Sequence, residues 1–210
     1  MTRSGAEQAT PKSKSTRARI IAAAGRVLAE QGYENTTLTA IADEAGLRGA
    51  SLYYYFDSRD QLVEEALGWG ISHIHERVRG ALDHLPAAAD PRERLFTAIR
   101  AFIEARLEIG SVSPAHIRNY RNLPEAVRRR LRPELTEFSE LWDRLVVQAQ
   151  EAGAVREDID PFDLHLFIVY TSEQLSRWPR RPRRSTADDI DTIFRLMTGA
   201  LTATTRPEAT

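Results

Sequence analysis

The side chains able to do chemistry are not arranged for catalysis. The histidines are His73, His75, His84, His116 and His165. His73 and His75 stand two apart, which on a helix turns them to different faces, and no His-Glu-x-x-His pattern accompanies either. No Gly-x-Ser-x-Gly elbow and no Gly-rich phosphate loop occurs. Cysteine is absent, which removes disulfides, thiolate metal sites and thiol nucleophiles together. The expectation is a chain with no catalytic residue, no metal and no cofactor. The informative residues are instead the hydroxyls, tyrosines and arginines between positions 36 and 62, whose chemistry is contact with phosphate oxygens and base edges.

That segment runs Thr36-Thr37-Leu38-Thr39-Ala40-Ile41-Ala42-Asp43-Glu44-Ala45-Gly46-Leu47-Arg48-Gly49-Ala50-Ser51-Leu52-Tyr53-Tyr54-Tyr55-Phe56. Thr37 caps a short helix whose Ile41, Ala42 and Ala45 face inward, and Ala42 is small where two helices must cross closely. Gly46 lets the chain take positive φ at the helix end, and Leu47 plugs the turn. The second helix is short enough to lie in a major groove about 12 Å wide. Upstream, residues 1–29 carry Arg3, Lys12, Lys14, Arg17, Arg19 and Arg26 against the single acid Glu7. Such a stretch suits phosphate binding; its other reading is a solvated tail.

The elements that must position these residues are nearly all helical. Ile20, Ala24, Val27 and Leu28 recur at helical spacing, and Ser51 to Phe56 forms a third piece after the Thr37 helix. Ser58 with Gln61 is a capping box that opens a long helix to about Leu85, through Leu62, Ala66, Ile74, Val78 and Leu82. Asp90-Pro91-Arg92-Glu93 is another start signal, with Leu95, Ile99, Phe102, Ile103 and Arg106 on one face. Ser113-Pro114 opens a short helix. Leu135, Phe138, Leu141, Trp142, Leu145 and Ala149 mark a long one ending near Gly153, which Pro133 either begins or kinks. Asp160-Pro161 starts the next, and Thr186 caps the last. No alternating strand pattern stands out. The fold class is all-α: a three-helix head and about six further helices, about nine in all.

Over roughly residues 16–66 the chain resembles the DNA-binding segment of the TetR family of transcriptional regulators. The matching positions are Thr37, Ile41, Ala42, Ala45, Gly46, Leu52, Tyr53, Phe56, Arg59 and Leu62, and Gly32-Tyr33 also fits. The resemblance implies a basic flexible arm over residues 1–14, a helix-turn-helix domain over 15–62, and an effector-binding and dimerisation domain over 63–210. It implies that Thr37 and Thr39 bind phosphate at the start of the supporting helix. Arg48, Gly49, Ala50 and Ser51 then begin the recognition helix, and Tyr53 resembles the family's phosphate-contacting tyrosine. Tyr54 and Tyr55 hold the variable positions that face bases or backbone. Arg59 stands where the family usually has a phosphate-binding lysine, and Arg17 joins Lys12, Lys14 and Arg19 in displacing counterions. Gly49 departs from the family's common polar or basic residue, which shifts base reading to Arg48, Ser51, Tyr54 and Tyr55. Core packing is the competing role for the tyrosines, but three successive residues cannot share one helix face.

Beyond residue 64 the resemblance is architectural. Residues 151–161 look like the family's link into its penultimate helix, where Phe162, Leu164, Leu166, Phe167, Ile168, Val169 and Leu175 are apolar nearly all round. Such a helix must be buried on more than one side, which implies a homodimer through the last two helices, 160–178 and 186–204. An effector pocket is expected between residues 95–110, 114–120 and 135–153. Its candidate lining is Phe102, Arg106, His116, Tyr120, Phe138, Trp142 and Tyr170, with ordinary core as the alternative for each. Arg128, Arg129, Arg130 and Arg132 form either a solvated face or a seat for an anionic ligand group such as the nucleotide tail of an acyl thioester. Gly68 and Gly70 flank Trp69 in the long helix joining head to sensor. They read as a flexible point or as close helix packing.

The expected function is a ligand-responsive, sequence-specific DNA-binding regulator, a repressor released from a palindromic operator by a small, largely apolar molecule. A DNA-binding protein with no effector, working through a protein partner, is the alternative. Length 210, 42% hydrophobic and 28% charged residues suit a folded globular chain, and the net charge of −1 places any DNA-directed positive charge locally. No apolar run is long enough to cross a bilayer, so no membrane role and a cytoplasmic location are expected.

Overall fold

A computed structural model describes residues 11–109, 120–173 and 185–202. Those residues form eight α-helices and one 3₁₀ turn at Tyr120–Asn122, with no strand among them. The helices are α1 (Pro11–Gln31), α2 (Leu38–Glu44), α3 (Gly49–Leu52), α4 (Arg59–Asp83), α5 (Pro91–Ile109), α6 (Glu125–Glu151), α7 (Pro161–Glu173) and α8 (Thr186–Thr202). The short helix expected at Ser113-Pro114 and the ends expected for α7 and α8 beyond 173 and 202 lie outside the described residues. No described helix is long and apolar enough to cross a membrane.

Caps set most boundaries. The α2 N-cap Thr37 accepts a bond from the Ala40 N–H at 3.1 Å. The α2 C-terminus closes as a Schellman turn: Gly46 takes φ +64°, its N–H bonds Asp43 O at 3.0 Å, and Leu47 N–H bonds Ala42 O at 2.8 Å. Ser58 caps α4 by accepting from Gln61 N–H, and the Gln61 side chain accepts in return from Asp57 N–H. Asp90 accepts from Glu93 N–H at 2.8 Å to open α5.

Three boundaries outside the helix-turn-helix segment differ from expectation. The basic arm expected over residues 1–14 gives way to helix at Pro11, because proline fits the first turn of a helix. Helix α6 begins at Glu125 after Pro124 and runs through Pro133, so Pro133 does not start it. Ser185, not Thr186, caps α8: its Oγ accepts from Asp188 N–H while Asp188 Oδ2 accepts from Ser185 N–H.

Burial divides into three apolar clusters. The head packs Ile20, Ala24, Ile41, Ala42, Leu52, Phe56 and Leu62 together. A middle cluster joins Leu28 of α1 and Tyr33 of the α1–α2 turn to Val63, Leu67 and Ile71 of α4 and to Val127 and Leu131 of α6. The sensor core holds Ile74, Val78, Phe102, Trp142, Ile168 and Met197. Helix α4, 25 residues and so about 37 Å long at 1.5 Å per residue, contributes to all three.

Candidate nucleic-acid interface and effector cavity

Thr37 and Thr39 stand exposed at the start of α2, and Arg48, Gly49 and Ala50 stand exposed at the start of α3, with Ser51 half-buried. Helix α3 starts within Arg48–Ser51, where the resemblance sets the recognition helix, and ends short of the Phe56 reached by the piece expected from Ser51. It spans Gly49–Leu52 and ends in a turn in which Tyr55 and Phe56 N–H both bond Leu52 O. Leu52 and Phe56 anchor this turn at 0% and 3% exposure, which throws Tyr53 and Tyr54 outward at 64% and 80%. Tyr55 lies half-buried against the head core, edge-on to Tyr54 at 5.1 Å, so it packs where base contact was expected. The phenols and backbone at this tip can donate to and accept from groove edges and phosphates.

Two arginines expected at the DNA are engaged within the head. The Arg17 guanidinium pairs with Glu65 of α4 and lies 4.9 Å over the Phe56 ring. Arg59 lies 4.5 Å over the Tyr33 ring. Its Nη1 donates to Tyr33 O at 3.4 Å and Thr36 O at 3.3 Å, and its Nε and Nη2 donate to Asp60 Oδ1 at 3.0 and 2.9 Å. The Tyr33 hydroxyl donates to the same Asp60 oxygen at 2.9 Å. Burial and the Asp60 carboxylate raise the Tyr33 phenol above its ordinary range. Arg59 thus ties the α1–α2 turn to the start of α4, with little fork left to reach a phosphate. Lys14 and Arg19 remain exposed on α1.

In the sensor, Ile71 and Ile74 of α4, Arg106 of α5, Leu135, Phe138 and Ser139 of α6, and His165 and Val169 of α7 line a cavity of about 120 Å³. Arg106 is 3% exposed, with its guanidinium 4.8 Å over the Phe102 ring. His165 Nδ1 meets Asp143 Oδ1 at 2.8 Å, which orients the imidazole. Phe102 and Trp142 are fully buried behind Phe138, at centroid distances of 5.6 and 6.0 Å from its ring, so they back the cavity wall and do not face the space.

Of the residues expected here, Arg106 and Phe138 are lining. Tyr120 packs half-buried on the middle cluster instead. Tyr170 does not reach the cavity: its neighbour Val169 does, and one residue along a helix turns the side chain by about 100°, leaving Tyr170 51% exposed. His116 lies outside the described residues. Ser139 and His165, which sequence reasoning passed over, carry polar groups to the cavity. Only the helical offset of Ser139 from Leu135 and Phe138 hinted at this.

Helices α7 and α8 present Phe162, Phe167, Tyr170 and Leu196 to solvent, at 53%, 39%, 51% and 59% exposure. This is an apolar face that one protomer leaves uncovered. Gly70 is buried in α4, and a Cβ at Gly68 would meet Leu131 Cδ2 of α6 at 3.8 Å, an ordinary contact.

Comparison with known proteins agrees with this architecture. The family model for bacterial regulatory proteins of the tetR family matches residues 20–66, and that for the tetracyclin repressor-like C-terminal domain matches residues 88–199. The HTH-type transcriptional repressor KstR2 of Mycobacterium tuberculosis H37Rv is 28% identical over 183 residues, covering 84% of this chain and 87% of that protein. KstR2 of Rhodococcus jostii RHA1 is 29% identical over 175 residues, covering 83% and 84%. The solved structure of the ketosteroid transcriptional regulator KstR2 of M. tuberculosis superposes with a TM-score of 0.76 at 25% identity, covering 93% of this chain and 98% of that one. AibR, solved with isovaleryl coenzyme A and operator DNA, shares the fold at a TM-score of 0.72 and 21% identity, covering 89% and 97%. With one family model on the helix-turn-helix head and a second spanning more than half of the chain, this chain belongs to the TetR family and is a ligand-responsive, DNA-binding transcriptional repressor.

Proposed function

We propose that the repressor holds a palindromic operator as a homodimer and releases it when a small, largely apolar molecule fills the cavity between α4, α5, α6 and α7. The observation that carries this reading is the continuity of α4. It walls the cavity with Ile71 and Ile74 and, two turns earlier, buries Leu62 and Ala66 in the head. A ligand that displaces this wall moves the recognition tip with it. The head, on this reading, is the unit of residues 15–62, and the larger unit of residues 63–210 senses and dimerises.

The dimer forms through α7 and α8. Their exposed Phe162, Phe167, Tyr170 and Leu196 are the side chains that a four-helix bundle with a second copy would cover. Two heads related by a twofold axis must meet successive major grooves about 34 Å apart, so a shift of a few ångströms breaks simultaneous contact. Thr37, Thr39, Arg48, Gly49, Ala50, Ser51, Tyr53 and Tyr54 form the DNA-contacting set. The encounter takes place in the cytoplasm.

The effector class is an acyl thioester or a comparable apolar compound. Its apolar part lies against Ile71, Ile74, Leu135, Phe138 and Val169, with Arg106 and His165 at its polar end. AibR was solved with isovaleryl coenzyme A, and KstR2 is a ketosteroid regulator; both support that class. Arg128 pairs with Glu125 and Arg130 with Glu64, so the nucleotide-tail role narrows to the exposed Arg129 and Arg132.

The test is selection of bound sequences from a random duplex pool, then calorimetric titration of isovaleryl coenzyme A and longer acyl thioesters with and without the selected site. Linkage requires that DNA weaken effector binding by the factor by which effector weakens DNA binding. Equal effector affinity in both titrations refutes release by that compound.

A further inference from the structure

The effector cavity is apolar apart from three side chains, Arg106 of α5, Ser139 of α6 and His165 of α7. His165 is 5% exposed, and its Nδ1 lies 2.8 Å from Asp143 Oδ1 on α6. A carboxylate oxygen only accepts, so Nδ1 carries the proton of that bond. In the neutral imidazole the other nitrogen, Nε2, is then a bare acceptor, and the tautomer is fixed by Asp143 before any ligand arrives. Among the described residues Nε2 has no hydrogen-bond partner, and unlike His75 Nε2 and Trp142 Nε1 it is not sealed within the packing. Ser139, half-buried one turn before Asp143, also leaves its hydroxyl without a partner among the described residues.

These groups make different demands. The bare Nε2 requires a donor, whereas the Ser139 hydroxyl and the Arg106 guanidinium supply donors and require an acceptor. A ketone, ether or carboxylate oxygen answers only the second demand and sets its lone pairs against Nε2, which is costly in an apolar enclosure. An ammonium group answers only the first and meets the Arg106 charge. A hydroxyl answers both through one oxygen: its O–H donates to Nε2 while its lone pairs accept from the donors beside it. The rest of the molecule must be apolar to lie against Ile71, Ile74, Leu135 and Phe138, and small, since the space is about 120 Å³.

We propose that the apolar part of the effector carries a hydroxyl, which donates to His165 Nε2 and accepts from Ser139 and Arg106. His165 and Ser139 thereby set specificity, and Asp143 is a positioning residue that holds the imidazole in the accepting tautomer. The inference rests on reading this cavity as the effector site. Its test needs no DNA, so loss of the hydroxyl preference and loss of operator release are separate results.

Full-length protein is titrated by calorimetry with cyclohexanol, cyclohexanone and sodium cyclohexanecarboxylate at pH 8 and one ionic strength, while nitrogen NMR follows the His165 ring. The alcohol and the ketone match in size and differ in the donor. Cyclohexanol is expected to bind about fivefold or more tightly than either of the others, the worth of an ordinary net hydrogen bond, and to shift the Nε2 resonance. His165→Phe keeps a ring in place and should erase the preference. Asp143→Asn acts at a side chain 43% exposed, so it leaves the core intact even if His165→Phe folds poorly. Its amide donates to Nδ1, moves the ring proton to Nε2 and should turn the preference toward the ketone. Equal affinity for alcohol and ketone, tighter binding of the carboxylate, an unmoved His165 ring at saturation, or an alcohol preference kept in both variants overturns the assignment.

Discussion

Replacing Arg59 with alanine separates two roles that the family position and the structure give to one side chain. As a phosphate ligand alone, Arg59 would leave the free protein's stability unchanged when removed. The structure instead places its guanidinium over Tyr33 and against two backbone carbonyls and Asp60. The carbonyl bonds are long and the side chain is 31% exposed, so each is worth about 0.5–1 kcal/mol. The ring contact adds about 0.5–1 kcal/mol, and the exposed pair with Asp60 adds less than about 0.5. Arg59→Ala should therefore destabilise by about 2 kcal/mol, which for a chain of this length lowers Tm by about 4–8 °C. Arg59→Lys keeps the charge but not the fork, and should lose most of the same stability. Thermal and urea unfolding by circular dichroism read this directly. Fluorescence anisotropy against salt reads the DNA contact, with a lost phosphate contact lowering the log–log slope by about one unit. An unchanged Tm in Arg59→Ala together with a reduced slope would refute the internal tie and restore the phosphate role.

Other perturbations test neighbouring parts of the molecule. Tyr54→Ala should leave Tm within about 1 °C, since the ring is 80% exposed, and should cut operator affinity tenfold or more; a variant that unfolds makes Tyr54 core. Gly49 has ordinary φ and open space around the position of a Cβ, so Gly49→Ala should stabilise α3 by up to about 1 kcal/mol. If DNA approaches the backbone closely there, the same change weakens operator binding, and undiminished binding argues against close approach. Tyr170→Glu places a charge on the apolar face of α7 and should shift sedimentation toward the monomer, whereas an unaltered dimer at low micromolar concentration would move the interface elsewhere. His75 carries a depressed pKa in the folded state, so its contribution to stability is full above about pH 6.5 and falls as acidification protonates the unfolded chain first. His75→Phe should flatten this part of the stability–pH curve, and an unchanged curve would assign it to other groups.

What could be read from the chain was mostly local. Thr37, Ser58 and Asp90 announced their helices because a cap needs only a side-chain oxygen and an N–H three residues on. Helix geometry required only that the three successive tyrosines not share one face, so that at least one turns outward. Ser185 was legible too, since Asp188 stands at the capping-box position relative to it, and the adjacent Thr186 drew attention away. Contacts across the chain were not legible. Nothing near Arg17 or Arg59 in sequence points to Glu65 or to the Tyr33 carbonyl, so both read as free cations. The start of α6 was hidden because the arginine run 128–132 covers the apolar pair Val127 and Leu131. The cavity drew His165 from a helix assigned to dimerisation.

The passage of α4 through all three apolar clusters bears on how such regulators can be recombined. Leu62 faces the head core and its next neighbour Val63 faces the middle one, so no bond in this stretch separates the two units cleanly. A chimera joined at 62/63 would pair foreign residues of α1 and the turn after it, at the positions of Leu28 and Tyr33, with native Val127 and Leu131, leaving voids or overlaps in the middle cluster. A transplant of DNA specificity that keeps effector coupling should instead exchange only the outer surface of α2 and α3. The lower half of α1, the first three turns of α4 and the first two turns of α6 would then travel as one inherited block.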